Sequence, residues 1–182
     1  AKEYADLNGD SLVNVSAEER KKALVDYALP KNIKKMQADM EKYKIFYDKW
    51  FFESELHKSG AVKAVVDLLT EKGLTYEKDG AVWYKNKEVL TQKLLKEGKS
   101  QKYIDNLELK DDVLIRQNGN PTYFTADIAY HKNKFDRGFT TLIDVWGADH
   151  HGHVMRMKGA MDAIGYDGDK LNVVLMQLVK LV

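Results

Sequence analysis

The chain has 182 residues, of which 44% are hydrophobic, enough for one domain or one and a half with a buried core. The 29 basic and 28 acidic residues leave a net charge of +1, so any contact with RNA must come from local patches rather than an overall field. No apolar run reaches the roughly 18 residues of a membrane helix, and no signal-peptide pattern is present. The absence of cysteine excludes disulfides and thiolate metal sites and is compatible with a cytoplasmic location.

The N-terminal part has the sequence patterns of helices. Ser16 and Glu19 have the spacing of a capping box that begins a first helix, and Pro30 suits the first turn of a second. A third helix is predicted to follow Gly60, with apolar residues on one face, and to end at Gly73. Four aromatic residues are interpreted as core rather than as platforms for stacked bases: Trp50, Phe51, Phe52 and Trp83.

A β-hairpin is predicted next, because residues 74–78 and 81–85 flank Asp79-Gly80, a favoured pair for a type I′ turn. Residues 85–106 are rich in lysine and are predicted to form one surface helix. Their lysines could contact the phosphate backbone of an RNA, but glutamates lie among them, which favours a solvated face. A short strand is predicted at residues 113–115, followed by a turn.

The last third has the order strand, helix, strand. Residues 140–146 are mostly apolar, which predicts a strand covered on both faces, with Asp144 as the one interruption. A helix with one apolar face follows over residues 153–164, and a second strand over 171–182, so the two strands are expected to be parallel. The predicted fold is α/β, with a helical and hairpin part over 1–110 and half of a Rossmann-like nucleotide-binding sheet over 111–182.

Polar residues follow directly where the first of these strands ends. In open α/β sheets, ligands bind at this position. Gly147 would let a ligand approach the backbone, and Asp149 could accept hydrogen bonds from ribose hydroxyls. The alternative is an ordinary turn in which Asp149 caps the following helix.

Three histidines accompany Asp149, namely His150, His151 and His153. Imidazoles and a carboxylate this close together could bind a metal, and the Asp-His-His triplet resembles the manganese phosphoesterases named for it. Those enzymes need further aspartates for which this sequence has no convincing counterpart. The alternative is that the histidines cap and pack the start of a helix, and no metal is assigned.

Tyr123 and Asp127 are four residues apart, which places them on one face if the segment is helical. From the residues alone, a packed tyrosine and a solvated aspartate are the simpler interpretation.

Two long runs, YFTADIAYHKNKF and DVWGADHHGHVMRMKGAMDAIG, closely resemble bacterial-type arginyl-tRNA synthetases, a class I family. WFFESELH and YEKDGAVWYK also resemble that family, and the resemblance covers most of the chain, being weakest at 85–110. It implies a cytoplasmic arginine–tRNA ligase that activates L-arginine with ATP and Mg²⁺ and transfers it to tRNA(Arg).

The resemblance also implies site residues. Tyr123 and Asp127 would hold the guanidinium of arginine, since a carboxylate accepts that planar fork in a bidentate pair. Tyr130 and His131 would contribute to the wall of the same pocket. No catalytic base is assigned.

On the nucleotide side, Gly147 and Asp149 would contact the ribose of ATP, with His150 and His153 as supporting ATP contacts. His150–His153 also fits the pattern H-x-G-H, the signature of class I synthetases. That signature should follow the first strand of the sheet, whereas this run follows a later one, so the true signature is expected before Ala1.

The sequence is expected to be a piece of a longer protein, because it has no initiator methionine and stops inside an apolar run. A K-M-S-K-type loop would follow it, so the piece is expected to be inactive alone and could dimerise through an uncovered sheet edge. Two alternatives stay open: a metal-dependent phosphoesterase using Asp149, His150 and His151, or a non-catalytic module that binds nucleotide or RNA.

Overall fold

The computed structural model describes residues 1–180 and has two compact units, Ala1–Trp50 and Phe51–Val182. The division predicted at residue 110 stays a prediction, although a strand that begins at Asp112 pairs with the hairpin that precedes this position. Among the described residues, no helix combines the length and apolar character needed to cross a membrane.

The first unit contains helices α1 (Lys2–Asn8) and α2 (Ala17–Lys42). The capping box is confirmed, because the Ser16 hydroxyl accepts from the Glu19 amide at 3.2 Å and the Glu19 carboxylate accepts from the Ser16 amide at 2.9 Å. The predicted boundary at Pro30 is wrong, since α2 continues through it. Helix α2 buries no residue in this unit, so water can solvate the carbonyl that proline leaves without a donor.

The second unit contains six helices, five strands and two 3₁₀ segments in the part of the chain that is described. The helices are α3 (Glu53–Lys58), α4 (Ala61–Glu71), α5 (Asn86–Lys96), α6 (Gln101–Asp105), α7 (Tyr123–Asp136) and α8 (His151–Ile164). The strands are β1 (Thr75–Lys78), β2 (Ala81–Tyr84), β3 (Asp112–Ile115), β4 (Leu142–Gly147) and β5 (Leu171–Met176). The 3₁₀ segments, Ala148–His150 and Gly168–Lys170, lie on either side of α8.

The hairpin is confirmed, with β1 and β2 antiparallel and positive φ at both Asp79 (53°) and Gly80 (73°), as a type I′ turn requires. Strand β3 extends this sheet beside β2. The single lysine-rich helix is wrong, because the segment forms α5 and α6. Gly98, at φ 80°, breaks the helical conformation, and Ser100 then caps α6.

The parallel pairing of β4 and β5 is confirmed. Strand β5 ends at Met176, and the last two residues of the predicted 171–182 strand lie outside the described residues. The prediction that the first strand is covered on both faces is wrong. Ile143 and Val145 are 69% and 68% exposed, because the helices of this unit pack only against the face that carries Leu142.

The core forms where α4, α7 and α8 pack together, and Leu142 of β4 and Leu171 of β5 belong to the same buried cluster. The apolar faces predicted for α4 and α8 are buried, and α8 ends at Gly165 with φ 99°. Of the four aromatic residues interpreted as core, Phe51 packs against it and stacks on Tyr130. Trp50 and Trp83 are half-buried, whereas Phe52 is exposed.

Candidate functional site

The candidate site lies where β4 passes into α8. Gly147 is the last residue of β4, and the Asp149 and His150 side chains after it are 82% and 61% exposed. The alternative in which Asp149 caps a helix is wrong, because neither the 3₁₀ segment nor α8 has a side-chain cap. A Cβ atom at position 147 would overlap the Asp149 carboxylate, so glycine permits this placement of Asp149.

Asp127 lies beside the start of α8, although it belongs to α7. Its Oδ2 atom is 3.2 Å from Nε2 of His153, which is in the first turn of α8. The Asp127 side chain is 45% exposed, and the His153 side chain is 14% exposed. The structure therefore brings Asp127 close to the turn that carries Gly147 and Asp149.

Tyr123 begins α7, one turn before Asp127, and is 78% exposed. The interpretation as a packed tyrosine is therefore wrong. Its ring centroid lies 6.0 Å from the guanidinium carbon of Arg116, and the described residues give it no hydrogen bond. The phenol is open to a ligand that approaches along α7.

His153 is engaged on both ring nitrogens. Its Nδ1 lies 2.8 Å from an Arg156 nitrogen, and Arg156 pairs with Asp112 at 3.0 Å. Burial raises the pKa of the Asp112 carboxyl, and the charge of Arg156 only partly opposes this. The prediction that His153 contacts ATP conflicts with this geometry, because no ring nitrogen is free for a nucleotide.

A buried cluster that the sequence did not reveal joins α7 to β4. His131 Nε2 is 2.5 Å from Asp144 Oδ2, and Lys134 donates to Asp144 Oδ1 at 2.7 Å. Burial opposes ionisation of Asp144, but the hydrogen bonds and charges of His131 and Lys134 outweigh it and hold the pKa of Asp144 below its usual range. The signal was present, since a lone carboxylate in an apolar strand must be paired when buried.

His131 differs from His153 in its hydrogen bonds. Its Nδ1 is 2.7 Å from the backbone carbonyl of Asp127, so both of its partners accept and both ring nitrogens donate. His131 is 3% exposed and is therefore a buried partner of Asp144, not the pocket wall that was predicted. Tyr130 stacks on Phe51 at 4.9 Å.

Trp146 lies among the histidines, with its ring 5.3 Å from that of His153, 6.2 Å from His131 and 6.4 Å from His150. His151 points elsewhere, because it lines a cavity of 740 Å³ between α5 and α8 that none of the other predicted site residues lines. The described part of the chain holds no group of three His, Asp or Glu side chains placed to bind a metal. The phosphoesterase alternative therefore lacks a ligand set at Asp149, His150 and His151.

Two curated relatives match essentially the whole chain. The arginine–tRNA ligase of Caldanaerobacter subterraneus is 54% identical over 183 residues, and that of Ruminiclostridium cellulolyticum is 49% identical over 181. The chain is homologous to a segment of arginine–tRNA ligases. It spans about 30% of the length of these relatives while 99–100% of the chain is matched. No family model matches the chain.

Solved structures agree with this arginine–tRNA ligase homology. A Campylobacter jejuni protein assigned as an arginyl-tRNA synthetase is 33% identical, with a TM-score of 0.75 over 97% of this chain and 34% of its own. The Thermus thermophilus arginyl-tRNA synthetase shares the fold, with a TM-score of 0.66 at 18% identity over 88% of this chain and 32% of its own. The resemblance inferred from the sequence motifs, and the mixed α/β fold that it implied, are confirmed.

Proposed function

We propose that this chain supplies the arginine pocket and part of the ATP site of an arginine–tRNA ligase. One observation carries the proposal: the half-exposed carboxylate of Asp127 lies 3.2 Å from His153, whose ring lies 5.3 Å from that of Trp146, the residue before Gly147. An amino acid held at Asp127 would then lie close to a nucleotide held at the turn. Aminoacyl adenylate formation needs such neighbours, because it joins the carboxylate of the amino acid to the α-phosphate of ATP.

Asp127 suits recognition of the arginine side chain. Its Oδ2 atom is held by His153, and Oδ1 has no hydrogen bond within the described chain. A guanidinium could donate to both oxygens as a planar fork, with the Tyr123 phenol as a further acceptor or stacking surface. Lysine offers only a point charge, so its binding would leave part of the carboxylate unpaired in a desolvated pocket.

Gly147, Asp149 and His150 form the proposed nucleotide side. The ribose hydroxyls of ATP would donate to the exposed Asp149 carboxylate, and the absence of a Cβ at Gly147 keeps that carboxylate near the backbone. A carboxylate oxygen of arginine attacks the α-phosphorus of the Mg²⁺·ATP substrate, and pyrophosphate leaves. The terminal ribose hydroxyl of tRNA(Arg) then attacks the arginyl carbonyl, and AMP leaves.

The chain would not aminoacylate by itself, because it spans about 30% of its relatives and the class I signatures are not among its residues. The remaining predictions belong to this proposal. Residues 1–110 would form an inserted part of the catalytic domain, and residues 111–182 would form half of the nucleotide-binding fold. The enzyme would act in the cytoplasm, where tRNA is charged. A dimer of the chain through the free edge of β4 is also proposed, since an unpaired strand edge favours such pairing.

A chimera tests the function. The matching segment of the Caldanaerobacter enzyme is replaced by this chain, and aminoacylation of tRNA(Arg) is measured. We expect an active chimera, and we expect the 182-residue chain alone to show no turnover. Asp127→Asn should lower kcat/KM for arginine by about 100-fold, as expected when a desolvated charge-assisted pair is lost.

Two further variants make the test specific. Asp149→Asn should raise KM for ATP while leaving KM for arginine within about 3-fold, which separates the two sides of the site. Lys132→Ala, on the exposed side of α7 where it pairs with Asp136, is the matched control and should leave both values unchanged. Equal effects of Asp127→Asn and Lys132→Ala on arginine would overturn the arginine pocket. An inactive chimera, with ATP binding but no arginine selectivity in the chain, would favour a non-catalytic binding module.

A further inference from the structure

Four side chains from three elements form one row, joined by two hydrogen bonds and one ion pair, that ends at the proposed arginine pocket. Asp112 of β3 pairs with Arg156 of α8 at 3.0 Å, and Arg156 reaches Nδ1 of His153 at 2.8 Å. His153 Nε2 then lies 3.2 Å from Asp127 Oδ2 on α7. The Asp112 and His153 side chains are largely buried, at 15% and 14% exposed, whereas those of Arg156 and Asp127 are 38% and 45% exposed.

The chemistry of arginine fixes the direction of every hydrogen bond in this row. A guanidinium has no acceptor, so Arg156 can only donate and Nδ1 of His153 must accept. The remaining hydrogen of a neutral imidazole then sits on Nε2, which donates to Asp127. Asp112 forms an ion pair with the other end of the guanidinium, at 3.0 Å, and holds it in place.

We infer that Arg156, held by Asp112, keeps His153 as a neutral hydrogen-bond donor, so that Asp127 retains its full negative charge for a cationic ligand. The inference rests on the proposed function for the identity of that ligand as arginine. Arg156 and His153 are positioning residues, since they act on the ligand through Asp127.

His131 has the arrangement that Arg156 prevents at His153, in which both ring nitrogens face acceptors. Both partners of His131 are acceptors, and its ring donates from both nitrogens to the Asp127 carbonyl and to Asp144. A doubly protonated His153 would form a charged pair with Asp127 in the same partly buried setting. That pair would compete directly with a guanidinium for the carboxylate, because both cations would bind the same oxygens.

Nitrogen-15 NMR of the histidine rings in the 182-residue chain tests the row without any ligand. At neutral pH we expect His153 as the single tautomer with hydrogen on Nε2 and a bare Nδ1. In the paired variant Asp112→Asn with Arg156→Met, which removes both buried charges together, the ring should carry hydrogen on both nitrogens. Lys158→Ala is the control, because Lys158 is also on α8 but approaches only Asp169, at 3.7 Å. A Nδ1–H tautomer, or an unchanged ring in the paired variant, would overturn the inference.

Arginine titration followed by NMR tests the consequence at Asp127. The paired variant should bind arginine at least about 10-fold more weakly, the scale of one hydrogen bond to a charged group. His153→Gln, whose amide can accept from Arg156 and donate to Asp127, should stay within about 3-fold of the parent, whereas His153→Leu should match the paired variant. A purely structural role predicts equal losses for glutamine and leucine, and that result would also overturn the inference.

Citrulline, the neutral isostere of arginine, separates failure of the inference from failure of the proposed function. Its affinity should be unchanged in the paired variant, because it carries no charge to compete for Asp127. If the parent chain binds neither arginine nor citrulline, the arginine pocket is refuted, and the ring tautomers alone then decide whether the row works as described.

Discussion

Replacing Asp144 by asparagine should be one of the most damaging single changes in this chain. The carboxylate is 7% exposed and joins His131 and Lys134 to strand β4. Asparagine keeps the size but offers one acceptor in place of two, and its amide hydrogens would face donors. Lys134 would then lose its counter-charge, and His131 its carboxylate acceptor, in a buried place.

The magnitude follows from burial. Removing one partner of a buried ion pair costs about 3–5 kcal/mol, because an uncompensated charge remains. The Lys134 side chain is 17% exposed and can turn towards water, whereas the His131 side chain, at 4%, cannot. We therefore expect a loss near the lower end, about 3 kcal/mol, which corresponds to a fall in Tm of about 6–12 °C for a chain of this size.

Urea denaturation followed by circular dichroism measures this loss. Ile143→Asn is the matched control, since Ile143 is the preceding residue on the same strand, is 69% exposed, and should change the unfolding free energy by less than about 0.5 kcal/mol. Equal losses for Asp144→Asn and Ile143→Asn would refute the argument, because they would mean that the cluster contributes nothing beyond its place in β4.

The same cluster predicts the pH dependence. The folded pKa of Asp144 lies below its ordinary value of 3.8. The stabilisation is therefore fully present above that ordinary value and is lost as the pH falls through the lower folded pKa. The difference in unfolding free energy between the parent and Asp144→Asn should therefore shrink as the pH falls below about 3.8, the ordinary value. A difference that grows on acidification would contradict the sign of this shift.

Three further changes in unfolding free energy can be read by the same urea titration. Gly168→Ala should cost about 1–3 kcal/mol, because the new Cβ would overlap the backbone carbonyl of Lys158, which cannot rotate away. Ser16→Ala should cost about 1 kcal/mol by removing the capping box. A loss below about 0.3 kcal/mol would mean that the capping box contributes little to stability. Tyr84→Phe should be neutral or stabilising, since the Tyr84 hydroxyl is buried without a partner in the described chain, and a loss above about 1 kcal/mol would reveal one.

The local features of this fold were predictable from short-range rules. The hairpin turn at Asp79-Gly80, the capping box at Ser16 and the apolar face of α8 depend on residues within a few positions of one another. The helix through Pro30 was not predictable in the same way. Its continuity depends on solvent reaching the unpaired carbonyl, and therefore on α2 burying none of its residues.

The candidate site was predictable only in part, because its connections cross between elements. The motif resemblance indicated Asp127 and the Gly147–Asp149 turn, and the structure joins Asp127 to His153, in the first turn of the helix that follows this turn. No spacing rule joins Asp144 to His131, which lie 13 residues apart on a strand and a helix. The same holds for His153 and Asp127, 26 residues apart, so their contact could be found only from the packing of α7 against α8.

These two histidines together fix Asp127 at two points. His131 donates to its backbone carbonyl, and His153 donates to its carboxylate. His131 is in turn held by Asp144. The stability of the cluster of Asp144, His131 and Lys134 is therefore coupled to the position of Asp127, the residue proposed to bind arginine. Asp144→Asn should therefore weaken arginine binding by a few-fold, although Asp144 itself contacts no ligand. This corresponds to about 1 kcal/mol, which is typical of the coupling between residues that share a hydrogen-bond network. The weakening should be absent when Asp127 is already asparagine, and additive losses in the double variant would show that the two points act independently.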